Sequence, residues 1–125
     1  MRHGFNTMLF AVLLSGISSV IQPVSAHADT YDGNWSVVVI TEKGTCDRAY
    51  RYAVHVANGE VRYGGEKSVD LSGNVTPRGE VQVLIRFHGQ SASGAGRLSP
   101  TDGAGSWHGN GSKGTCSGRW EAEKR

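Results

Sequence analysis

Three histidines, His55, His88 and His108, and four scattered carboxylates, Asp32, Asp47, Asp70 and Glu80, are the side chains of this sequence best suited to chemistry. A metal centre needs three or four ligands converging on one point. The histidines fall on polar faces of what read as three non-adjacent strands, so their rings should diverge and no metal is expected. Two carboxylates could split a glycosidic bond, but only if the fold holds them at a fixed separation. Nothing in the spacing of these four brings two together. No G-x-S-x-G elbow, H-E-x-x-H or P-loop occurs. The sequence therefore assigns no catalytic residue and no cofactor, and a small hydrolase remains only as an alternative from a different class.

Cys46 and Cys116 are the two cysteines. Two thiols without nearby histidines make a poor zinc site. In an oxidising compartment such a pair reads first as a disulfide. Closing a loop of about 70 residues would contribute roughly 4 kcal/mol by the chain-entropy model.

The amino-terminal segment argues for that compartment. Arg2 precedes the short apolar run 8–14, Gly16 and Pro23 weaken any helix beyond that run, and Ala26-His27-Ala28 places small residues where a signal peptidase reads. The expectation is a signal peptide over 1–28 and a single mature domain over 29–125, periplasmic or secreted. The apolar run is too short to span a membrane. The mature segment has 12 Lys/Arg against 11 Asp/Glu, a net charge of +1. That balance argues against a nucleic-acid partner. Its length excludes a Rossmann domain or a (β/α)8 barrel.

The elements that must position these residues are strands. Apolar residues alternate: Tyr50, Tyr52, Val54 and Val56 share one face, as do Val81, Val83, Ile85 and Phe87. Asn58-Gly59, Pro77-Arg78-Gly79, the stretch 99–103 and Asn110-Gly111 read as turns. Eight short strands result, centred on 37–40, 50–56, 61–63, 69–75, 81–87, 92–98, 105–109 and 116–122. The fold class is all-β: a small antiparallel up-and-down barrel, or a sandwich of the same strands, with one disulfide. In a barrel the first and last strands pair, and the Cys46–Cys116 bridge would lock that seam. A monomer is expected.

Trp35, Trp107 and Trp120 are the largest apolar resource, either filling the core or forming an aromatic binding floor. Nine glycines between 89 and 118 accompany them. Gly94, Gly96, Gly105 and Gly109 on an inward face would allow curvature and packing under an indole, or leave room for a ligand. The expectation is a filled core, which places binding on the outer surface or on the loops 43–48 and 109–114. Val38, Ile40 and Leu84, on the opposite parity, could form an apolar outer patch and hence a partner surface, or be covered by the tail 121–125.

The chain carries G-x-W at Gly33 to Trp35 and G-x-C at Gly44 to Cys46. It continues with G-R-L at Gly96 to Leu98, G-x-G-x-W at Gly103 to Trp107, and C-x-G-x-W-x-A at Cys116 to Ala122. This pattern resembles a group of small exported bacterial β-rich proteins of unassigned function. More loosely, G-x-W on the first strand with a single disulfide is similar to calycin-like barrels: lipocalins, avidins and bacterial inhibitors of secreted metalloproteases. The resemblance implies an exported β fold. The function expected is a non-enzymatic binding module for a protein or small-molecule partner, with inhibition of an exported protease as the alternative.

Overall fold

A computed structural model of the chain describes residues 4, 11, 14–19, 30–66 and 68–125. The expected cleavage motif at 26–28 lies outside the described residues. Eight strands run in succession: β1 (Gly33–Lys43), β2 (Ala49–Ala57), β3 (Glu60–Tyr63), β4 (Asp70–Val75), β5 (Glu80–Phe87), β6 (Gln90–Leu98), β7 (Asp102–Gly111) and β8 (Gly114–Lys124). Each pairs antiparallel with the next, and β1 pairs antiparallel with β8, so the sheet closes into a barrel. Closure leaves no strand edge unpaired. Of the two expected architectures, the barrel forms.

Period-two patterning sets which residues turn inward. Trp35, Val54, Val56, Val61, Leu71, Val75, Val81, Leu98, Trp107, Trp120 and Ala122 are all buried in one cluster. Val37, Val39, Tyr52, Val83 and Ile85 share their parity and pack against that cluster, partly buried.

Tight turns fix the register. Asn58 and Gly59 take positive φ angles of 51° and 78°, the geometry of a two-residue turn that matches strand twist. His88 and Gly89 do the same at 50° and 74°. His88 therefore leaves the strand on whose polar face the sequence had placed it. Histidine tolerates the left-handed region better than most residues, and Gly89 supplies the second positive φ.

The expected turn at Asn110-Gly111 lies two residues later. Asn110 and Gly111 are the last paired residues of β7, opposite Thr115 and Gly114. This register sets Trp107 against Gly118 and Trp120 against Gly105. Each indole thus lies across from a residue without a side chain.

The seam is as the sequence implied. Cys46 lies just beyond β1, and its disulfide to Cys116 on β8 joins Cα atoms 6.1 Å apart. The Cys46 amide also points at Cys116 Sγ, 3.2 Å away. Nearby, the register of β1 on β8 shifts between Thr41 and Lys43, and Trp107 Nε1 donates to the Ile40 carbonyl at 2.9 Å.

The outer apolar residues do not form one patch. Val38 and Ile40 lie on β1, beside Arg51, Glu121 and Arg119. Leu84 lies on β5 between Ser72 and Ser93. In a ring of eight strands, β1 and β5 occupy opposite walls.

Candidate functional site

The barrel is hollow towards one end, which corrects the expectation of a filled core. A cavity of about 430 Å3 occupies its interior, within the size range of small-molecule sites. Its depth is lined by Trp35, Val54, Val56, Val61, Val81, Leu98 and Ala122. Cys46, Asp47, Tyr50, Phe87, His88, Gln90, Ser91 and Asn110 line it at the other end. These last residues lie at the β1–β2 connection, the β5–β6 turn and the end of β7, which the meander brings to one rim.

Exposure changes along the same axis. Trp35 and Val56 are each 2% exposed, whereas Tyr50 and Phe87 at the rim are 37% and 38% exposed. The cavity therefore opens at the disulfide end and closes at the end that carries Trp35.

The closed end is sealed by hydrogen bonds as well as packing. Trp35 Nε1 donates to the Tyr31 carbonyl at 2.9 Å, and the Arg125 amide donates to the Asn34 carbonyl at 2.8 Å. Lys124 Nζ donates to the Thr30 carbonyl and sits 5.8 Å from the centre of the Trp35 ring.

All three tryptophans line the cavity, so the binding-floor and core readings describe the same side chains. Each indole N–H is already committed to a backbone carbonyl: Tyr31 for Trp35, Ile40 for Trp107 and Ala95 for Trp120. They present only ring carbon to the interior. Among the described residues no buried side-chain nitrogen or oxygen lacks a partner. The depth of the cavity thus offers apolar surface and no directional polar contact.

The glycine face divides between packing and space. A Cβ at Gly96 would collide with the Ala104 carbonyl and come within 2.5 Å of Trp120 Cζ2. Trp120 likewise occupies the space over Gly105. At Gly94 the nearest atom, Trp120 Nε1, is 3.6 Å from the Cβ position, an ordinary contact, and Gly94 lines the cavity.

Polar and aromatic groups collect at the rim. Tyr50 and Tyr52 have ring centres 6.2 Å apart, and Tyr52 meets Tyr63 edge-on at 6.5 Å. Phe87 and His88 meet edge-on at 4.0 Å. Burial holds the Tyr50 phenol above its ordinary pKa, reinforced by a hydrogen bond to the Asp47 side chain and by that group's charge. Tyr52 is raised as well, first by burial and then by Tyr63.

In comparisons with protein-family models, curated proteins and solved structures, nothing matches the chain. The geometry alone must carry the functional reading.

The sequence-level candidates end up apart. Asp47 reaches the rim, while Glu80 forms a salt bridge with Arg97 at 3.6 Å and Asp32 accepts from the Asn58 amide. His55 contacts Asn34 Oδ1 on the exposed outer face of β2. His108 meets Ser93 Oγ at 3.0 Å on the exposed outer wall of β6 and β7. That nucleophile–base arrangement was not foreseen. It lacks the third group that would orient the imidazole, since no carboxylate hydrogen-bonds His108 among the described residues.

The loops 43–48 and 109–114, singled out from sequence, do contribute Cys46, Asp47 and Asn110 to the rim. Phe87 and His88 were missed as rim residues. The Gly89 beside them was the available sign of a turn there.

Proposed function

We propose that the protein is an exported, non-enzymatic binding module that takes a small apolar molecule into the barrel. The hollow, tryptophan-lined interior open at one end is the observation that carries this reading. A disulfide-stapled barrel suits an oxidising compartment. The segment 1–28 has the pattern of an export signal. Committed indole N–H groups favour recognition by shape and apolar contact, and among the described residues no assembled catalytic group favours turnover.

The test uses N-phenylnaphthylamine, a neutral apolar fluorophore, with the disulfide-bonded protein. Its emission should rise saturably at one molecule per chain. Gly94→Leu, which projects a side chain into the cavity from a position with room for its Cβ, should strongly weaken that binding while leaving the fold intact. Absence of saturable binding, or equal binding by a folded Gly94→Leu protein, would overturn the reading.

A further inference from the structure

We infer that the rim receives a cationic head group, so that the ligand is an amphiphile with an apolar body and a protonated or quaternary amine. This inference rests on the interior cavity being the binding site. Among the described residues lining the cavity, Asp47 is the sole carboxylate, and no lysine or arginine is found. Among the described residues no salt bridge engages Asp47. Its neighbour Tyr50 is an aromatic ring more than a third exposed, as is Phe87 on the same rim. A carboxylate next to one exposed aromatic ring, with a second ring across the mouth, is the chemistry that recognises an ammonium group, through charge and through the negative face of a ring.

The depth of the cavity sets the rest of the molecule. Every indole N–H there is committed to a backbone carbonyl, and the side chains around Trp35 are Val54, Val56, Val61, Val81, Leu98 and Ala122, which carry no polar atom. A polar group buried there would lose its hydrogen bonds with water and gain none. The ligand must therefore carry its polarity at one end, and that end must stay at the rim. Lys43, Arg48, Arg86 and Lys113 lie on the same end of the barrel, but none of them lines the cavity. Arg86 lies instead in an adjoining surface cleft that shares Phe87, His88, Gln90 and Ser91 with the mouth.

Three decyl amphiphiles differing only in the head group test this: decyltrimethylammonium, decanol and decyl sulfate. Each is titrated below its micellar concentration, with tryptophan emission as the readout. Decyltrimethylammonium should bind about tenfold more tightly than decanol, and decyl sulfate more weakly than either. The preference should shrink as salt is raised. Asp47→Asn should reduce it to about twofold, the share left to the rings, without changing decanol affinity. If decanol binds but the cation shows no advantage, or keeps its full advantage in Asp47→Asn, the head-group inference fails and the apolar cavity stands. Tightest binding by decyl sulfate has the same meaning. If none of the three binds, both readings fall.

Discussion

The two ends of the barrel are built from the same inward alternation and reach opposite outcomes. At the closed end, Trp35 and Ala122 meet Val56, Val61, Val75, Val81 and Leu98, and all are buried. The segment leading into β1 and the end of the chain after β8 add hydrogen bonds across that end, through Tyr31 to Trp35 and Arg125 to Asn34. At the open end the inward row continues as Val37, Val39, Tyr50, Tyr52, Val83, Ile85 and Phe87, yet none of these is fully buried. The difference is one of volume and position. Trp35 fills space at the closed end and Trp120 covers Gly96 and Gly105, whereas Gly94, Gly109 and Ala92 line the cavity with little side chain. Closure of the sheet supplies backbone hydrogen bonds at both ends, so the open end can remain hollow without leaving a strand unpaired.

The sharpest way to break this comparison is to remove the plug. Trp35→Ala should cost about 3–5 kcal/mol, the usual range for a buried tryptophan replaced by alanine. Tyr50→Ala, on the same inward parity but at the rim, should cost about 1 kcal/mol or less, because much of its ring already faces solvent. Urea denaturation of both variants measures the contrast. Equal losses would mean that the rim is as tightly packed as the plug.

The disulfide is the exception at the open end, where packing is thin. Replacing both cysteines by serine should cost about 2–5 kcal/mol, typical of a native bridge in a small domain. Hydrogen exchange should then quicken first where β1 meets β8, around Ile40 and Gly118. Loosening confined to β3 and β4 would contradict the bridge as the lock of the seam. In the unaltered protein, thiol alkylation under non-reducing denaturation should detect no free cysteine.

Much of this architecture was legible in the sequence, for reasons that mark where legibility ends. Tyr50 to Val56 and Val81 to Phe87 alternate cleanly because each strand has one wet face and one inward face. Asn58-Gly59 announces its turn because both residues accept positive φ. His88-Gly89 forms the same kind of turn, but a histidine there carries a weaker signal. Asn110-Gly111 carries the stronger signal and is paired strand instead, in the register that seats Trp120 over Gly105 and the β1 backbone over Gly118. The tryptophans were legible as lining, since any inward indole is either core or floor. The hollow was not. Composition gives total side-chain volume, and a cavity depends on where along the barrel axis that volume lies.

Neighbouring inward glycines should respond differently to the same substitution. Gly96→Val should destabilise by about 1–3 kcal/mol, since its side chain meets Trp120 and the Ala104 carbonyl. Gly94→Val should change stability by about 0.5 kcal/mol or less, because its Cβ enters ordinary contact and its methyls enter the cavity. Thermal melts of the pair suffice. Similar losses at both positions would place packed side chains where the cavity lies.

The smallest effect concerns the rim tyrosines, and it separates them from one another. Tyr50 is raised by burial first, then by Asp47 and then by the charge of Tyr52, whereas Tyr52 is raised by burial and Tyr63 with no part for Asp47. Removing the carboxylate charge in Asp47→Asn should therefore lower the Tyr50 titration, leaving it still above the ordinary tyrosine value, and leave Tyr52 where it was. Tyrosinate absorbance against pH, compared with Tyr50→Phe and Tyr52→Phe to assign each step, reads both shifts. Linkage gives the sign for stability. A phenol whose folded pKa lies above its unfolded value holds its proton longer in the folded state, so its contribution is complete below about pH 10. That contribution declines as pH rises through the folded value. Tyr50→Phe and Tyr52→Phe should each flatten part of the alkaline fall in stability and leave its pH dependence near neutrality unchanged. A Tyr52 step that moves with Asp47→Asn would show that the carboxylate acts on both rings rather than on Tyr50 alone.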